Sequence, residues 1–221
     1  EDSRAELRHL RGTGIALVIQ RDPIVTAKMV STIDRLSGGR FLFGVGNGWN
    51  QDEMENHGTV FTMRHKLVRE RIEAMKALWT NSKAEYHGEM VAFDPVMAWP
   101  KPVQKPHPPI WVGGESGPAL RRTARLGDAW YLIGTNPANP LDSLARFKAQ
   151  VARLRKMTQE AGRDPKSVGL ALRCTGFGEA MPAKAGDGER RLFSGKPAEI
   201  AADMRALRDM GVGSLDFGFG G

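Results

Sequence analysis

Two glycine-rich segments stand where apolar runs end. Gly44-Val45-Gly46-Asn47-Gly48-Trp49 closes a run that begins at Arg40, and Pro109-Ile110-Trp111-Val112-Gly113-Gly114-Glu115-Ser116-Gly117 leads a second run into a helical pattern. Glycine at such places lets a flat ring or a phosphate approach the backbone closely, although a tight turn asks for the same residue. The first segment is not a G-x-G-x-x-G, because its third glycine falls one place early. The second carries more information. Ser116 occupies an N-cap position, so free N–H groups and the positive end of the following helix would face the strand end, which is the chemistry of a phosphate site. Arg121 and Arg122 lie on that helix and could add charge, but solvation is the plainer expectation for both.

Groups for acid, base or nucleophile work are scarce. No H-E-x-x-H, C-x-x-C, P-loop or G-x-S-x-G pattern occurs. The 5 histidines (His9, His57, His65, His87 and His107) show no ligand spacing on one face, so no metal site is expected. His65 reads as the start of a helix. Asp52 and Glu53 read as the first turn of a short helix, and Cys174, in an apolar strand, as core packing. No catalytic residue is named on these grounds.

The elements that would position these segments alternate. The run Gly12–Gln20 predicts a buried strand, and Asp22-Pro23 opens a helix with apolar Ile24, Ala27, Val30, Ile33 and Leu36, ended by Gly38-Gly39. Arg40–Gly46 predicts a second strand and Arg64–Thr80 an amphipathic helix. Tyr86–Glu89 marks a turn between short strands, and a proline-rich stretch follows. Further strands are expected at 110–112, 129–133, 168–174 and 214–219, and helices at 117–126, 141–161 and 198–210. The glycine-rich, polar stretch Gly176–Arg191 predicts a mobile loop. Strand-helix alternation means a parallel sheet with helical crossovers, either a doubly wound open sheet or a (β/α)-barrel. A barrel needs about eight strands, and this reading finds about six.

Composition narrows the functional class. With 221 residues, 41% hydrophobic and 26% charged, the chain is an ordinary globular one with no apolar run long enough to span a membrane. Lys and Arg total 32 against 25 Asp and Glu, a net charge of +7 that favours anionic partners. The excess is scattered, and only 2 tyrosines are available for base stacking, so no nucleic-acid partner is expected. A single cysteine and a charged N-terminal segment without an apolar stretch point to the cytoplasm.

Taken together, GTGIALVIQRDPIVTAKMVSTIDRLSGGRFLFGVGNGWN, RERIEAMKALW and KPVQKPHPPIWVGGESGPALRRTARLGDAW resemble the bacterial luciferase-like flavin and deazaflavin oxidoreductases, and the G-N-G-W form is most similar to the subgroup that uses coenzyme F420. The resemblance implies one luciferase-like (β/α)8 TIM-barrel domain over 1–221, lacking the barrel's first two strands and so expected to be longer at its N-terminus. It implies a non-prolyl cis peptide at or near Gly14-Ile15, cofactor contacts at Gly14, Ile15, Asn47 and Gly48, and a phosphate-binding turn at Gly113, Gly114, Ser116 and Gly117. It implies hydride transfer between the deazaflavin C5 and an organic substrate, held by the segments 53–63, 84–99 and 176–191, in a homodimer. Reduced-FMN monooxygenase chemistry is the alternative, and a non-catalytic flavin-binding or assembly relative is another. Trp49 stands where some deazaflavin enzymes carry a glutamate, so their proton relay is not carried over.

Overall fold

The computed structural model describes residues 10–134 and 136–218. Contacts sort the chain into two compact units, one ending at Ile110 and the next beginning at Trp111.

In the first unit the apolar run after Gly12 does not make one strand. It makes two short ones, β1 (Arg11–Gly12) and β2 (Ala16–Leu17), both parallel to β3 (Phe41–Gly46). Between them the Thr13 hydroxyl donates to the Gly44 carbonyl at 2.7 Å, and the Gly14-Ile15 peptide is cis. The Thr13 hydroxyl thus takes up a carbonyl of β3, and the chain leaves β2 in a 3₁₀ turn, Val18–Gln20, where a longer strand was expected. Helix α1 (Pro23–Leu36) is capped by the Asp22 carboxylate, which accepts the Val25 N–H. It ends where Gly38 and Gly39 adopt φ of 62° and 76°, a region glycine enters without steric cost.

Helix α2 (Gln51–Asn56), capped by Asn50, takes up Asp52 and Glu53 as its first turn. Helix α3 (Arg64–Thr80) buries Leu67, Val68, Ile72, Met75 and Trp79, the face its periodicity predicts. The Trp79 indole donates to the Ala27 carbonyl at 2.9 Å and docks α3 on α1. Hairpin β4 (Ala84–His87) and β5 (Ala92–Val96) follows, its turn anchored by the buried Glu70 carboxylate, which accepts the Met90 and Val91 amides at 2.7 and 3.1 Å. Burial alone would raise the Glu70 carboxyl. The amides of Met90, Val91 and Glu89 and the charge of Lys66 outweigh it and hold the group below the usual carboxylate range.

In the second unit β6 (Ile110–Gly113), β7 (Ala129–Leu132), β8 (Gly169–Cys174) and β9 (Val212–Phe217) pair in that order, all parallel. Helices α4 (Gly117–Leu126), α5 (Leu144–Glu160) and α6 (Pro197–Asp209) connect them. One apolar core, including Leu120, Trp130, Phe147, Leu154, Leu172 and Leu207, forms against the strands. Helix α5 starts three residues later than its apolar pattern predicts, because the Ser143 hydroxyl caps it by accepting the Arg146 N–H, while the Leu141 amide is spent on the Gly134 carbonyl. The last strand begins earlier than expected, and Phe219, its predicted end, lies outside the described residues.

The stretch after β8 is not the loose loop its glycines suggest. Arg146 and Arg191 both reach Asp142, at 2.7 and 3.1 Å, while Asp187 accepts the Ser143 hydroxyl and Arg190 pairs with Asp203. Asp203 also accepts the Phe193 amide at 2.7 Å. These bonds strap 187–193 to the start of α5 and to α6.

Candidate cofactor site

Gly14 and Ile15 lie between β1 and β2, and Asn47 and Gly48 lie just beyond β3. Packing there leaves no spare volume. A Cβ on Gly44 would stand 1.8 Å from the Thr13 carbonyl oxygen, and one on Gly46 would stand 1.9 Å from the Ile15 δ-methyl. Gly48 has φ of 66°, and a Cβ there would meet the Met54 methyl at 2.8 Å. Only glycine lets β3 lie this close to the Thr13–Ile15 segment and turn directly afterwards. Asn47 follows β3, and its amide nitrogen sits 3.0 Å from Nδ1 of His65, the second residue of α3. Trp49 is exposed.

Gly113, Gly114, Ser116 and Gly117 form the turn from β6 into α4. Gly114 has φ of 107°, and the Ser116 hydroxyl accepts the Ala119 N–H as the N-cap. The turn is fixed by three bonds that sequence reasoning missed. The Trp130 indole donates to the Gly114 carbonyl at 2.8 Å. The buried Glu115 carboxylate accepts the Ile133 and Gly134 amides at 2.8 and 3.1 Å, so the acid in the turn is consumed by the loop after β7. Beside Gly117 two guanidinium groups converge: the position of its absent Cβ lies 3.3 Å from Arg153 Nη2 and 3.7 Å from Arg121 Nη1. Arg122 departs from expectation. It is buried, not solvated, and burial draws its guanidinium down to about 10.

The opposite face of the second sheet from its helices carries another polar group. The Tyr131 hydroxyl donates to Asp216 at 2.9 Å, with Arg173 beside it, and β8–β9 pairing sets Arg173 opposite Asp216. Burial, then the Asp216 bond, pushes the phenol up, so it stays a protonated donor. Three separate strands supply these side chains, and no local motif announces them. Cys174 is buried, its thiol raised chiefly by burial. Among the described residues no group of three His, Cys, Asp or Glu could hold a metal ion, and no helix is long and apolar enough to cross a membrane.

The fold has counterparts among solved structures. The monooxygenase RslO1 from Streptomyces bottropensis superimposes on 95% of this chain and 71% of its own with a TM-score of 0.74 at 20% identity. The coenzyme F420-dependent tetrahydromethanopterin reductase of Methanopyrus kandleri does so on 93% and 76% with a TM-score of 0.73 at 17% identity. That likeness gives the fold, a luciferase-like (β/α) TIM barrel.

The luciferase-like monooxygenase family model matches residues 11–185, and the chain belongs to that family. An uncharacterized protein of Mycobacterium tuberculosis is 38% identical over 195 residues, and the FMNH2-dependent dimethylsulfone monooxygenase of Pseudomonas putida is 29% identical over 245. The matches cover 88% and 89% of this chain, and the chain spans 66% of the length of each relative.

Proposed function

We propose that the protein is an oxidoreductase that moves a hydride between C5 of coenzyme F420 and an organic substrate. The observation that carries this reading is the pair of guanidinium groups, Arg121 and Arg153, at the capped start of α4. A phosphodiester extended by an oligoglutamate tail offers several negative charges, and this turn offers a helix N-terminus plus two cations. The glycine positions fit such a group, because the space a Cβ would take at Gly117 borders both arginines. When bound, the deazaflavin supplies the two-electron chemistry.

The chain's own part is to bind and orient. We assign Gly113, Gly114, Ser116 and Gly117 to the phosphate, and Gly14, Ile15, Asn47 and Gly48 to the ring. A homodimer acting on a small molecule in the cytoplasm completes the reading, and light scattering from the purified chain tests the dimer. A second reading, reduced-FMN monooxygenase, is favoured by the P. putida relative, whose similarity covers 89% of this chain.

A fluorescence titration with F420, run beside FMN, tests the choice. Saturable binding of F420 without FMN is expected. Binding of FMN alone replaces the reading with the monooxygenase. Binding of neither leaves the non-catalytic relative as the surviving account.

A further inference from the structure

We infer that Arg173, on the face of the second sheet turned away from its helices, anchors a carboxylate carried by the organic substrate. The inference rests on the oxidoreductase reading above and deepens it, by giving the substrate a charge.

Side chains alternate along a strand, and three strands of this unit put a polar residue on one face. Trp130 and Leu132 of β7, Leu172 and Cys174 of β8, and Leu215 and Phe217 of β9 belong to the apolar core or pack against it. Tyr131, Arg173 and Asp216 therefore project from the other face. Strand pairing sets Tyr131 opposite Ala171 and Arg173 opposite Asp216. Ala171 is small enough for the Tyr131 ring to cross β8, and the phenol donates to Asp216, two strands away, at 2.9 Å.

That bond decides what the arginine is left to do. An arginine and an aspartate directly opposite one another on neighbouring strands attract, and a direct ion pair would be the simple outcome. Here the carboxylate takes the phenol. Among the described residues no ion pair joins Arg173 to an acid, whereas Arg146, Arg190 and Arg191 are each held by an aspartate. Burial, then Asp216, pushes the phenol up, so it keeps the proton it gives to Asp216 across the neutral range.

Nor does a side chain at 218 cover the cation. The space that a Cβ on Gly218 would take lies 3.5 Å from Nη2 of Arg173 and 3.6 Å from Nε. Those two nitrogens form the edge of a guanidinium that presents two parallel N–H groups, which a carboxylate accepts in bidentate fashion. The Gly218 amide donates to the Cys174 carbonyl at 2.8 Å, which holds the glycine beside the arginine. Arg173 is itself half-buried, so a bond made there is partly shielded from water.

The test is calorimetric titration of benzoate and butanoate, each beside its uncharged amide, into the full chain alone and saturated with the cofactor it accepts. Wild type is expected to bind both acids saturably and each amide about tenfold more weakly. Arg173→Gln should weaken the acids about tenfold and bring acid and amide level. Gly218→Val, which covers the guanidinium edge and leaves the charge in place, should do the same. Arg121→Ala with Arg153→Ala should leave acid binding unchanged. Tyr131→Phe releases Asp216 to turn to Arg173 and should weaken the acids severalfold, and adding Asp216→Asn should restore them.

A wild type that refuses both acids or holds acid and amide equally overturns the inference, as does an acid preference that survives Arg173→Gln. Competition between the acids and F420 also overturns it, because the arginine would then hold the cofactor's tail. Where melts show Arg173→Gln unfolded, Gly218→Val decides: acid binding within about twofold of wild type overturns the inference. Acids held at Arg173 by a chain that binds neither cofactor support the acid site and remove the oxidoreductase reading. A chain that binds a cofactor and refuses every acid removes this inference alone.

Discussion

Around β3 backbone and methyl groups meet so closely that Gly44 and Gly46 have no room for a side chain, whereas the turn into α4 is shaped by hydrogen bonds and charge. The first region is defined by what cannot be added to it, and the second by what cannot be taken away. On the proposed reading, the first would meet a flat partner by shape and the second a charged one. The two regions can thus be disrupted in two ways, by overpacking or by unpairing.

The largest effect should follow from the smallest substitution. Gly44→Ala places a methyl against a backbone oxygen that no side-chain rotation can move. We expect a loss of about 3 kcal/mol or more in denaturant unfolding, together with loss of cofactor binding. Gly46→Ala, which meets only the end of the Ile15 side chain, should cost clearly less. Equal costs at the two positions would erase the shape argument.

Next comes Glu115→Ala, which strands the Ile133 and Gly134 amides and should cost about 2–3 kcal/mol in the same measurement, with Glu115→Gln recovering part. An unchanged unfolding midpoint would mean the turn into α4 does not depend on its polar supports.

Glu70 tests whether unpairing also matters in the first unit. Its carboxyl is held below the usual range in the folded state, so its contribution is present above the unfolded value and is lost as pH falls through the folded one. Glu70→Gln should therefore cost about 1–2 kcal/mol at neutral pH, and the gap to wild type should shrink in acid. A gap that widens below the ordinary carboxylate range contradicts the sign.

The smallest effect is expected from Arg121→Ala combined with Arg153→Ala. Cofactor affinity should fall severalfold at low ionic strength and by less at high salt, since exposed charges are screened. Stability should hardly change. A salt-independent loss would transfer the site from the charged class to the shape class.

Much of this architecture was legible in the sequence, and for identifiable reasons. Helices α3 and α4 begin and end at the residues their periodicity and Ser116 indicate, because both signals are local. The break between β1 and β2 was hidden inside an unbroken apolar run, since the Thr13 bond to Gly44 at that break is made across 31 residues. Glu115, Trp130 and the Tyr131–Asp216 pair escaped for the same reason: their types are unremarkable and their meaning lies in a distant partner. Glycine content misled in the opposite direction for 176–191, where Asp142, Arg146 and Asp203 supply restraints that composition cannot reveal.

That restraint has a practical consequence through the chain's single cysteine. Cys174 ends β8 just before the strapped stretch, and its buried thiol donates to the Gly176 carbonyl at 3.2 Å. A thiol so covered reacts with a disulfide reagent only in the instants when its cover lifts. The rate of its modification is a native clock for local opening at this end of the sheet, readable without a label or a mutation. Any ligand that settles against 176–193 will announce itself by slowing that clock.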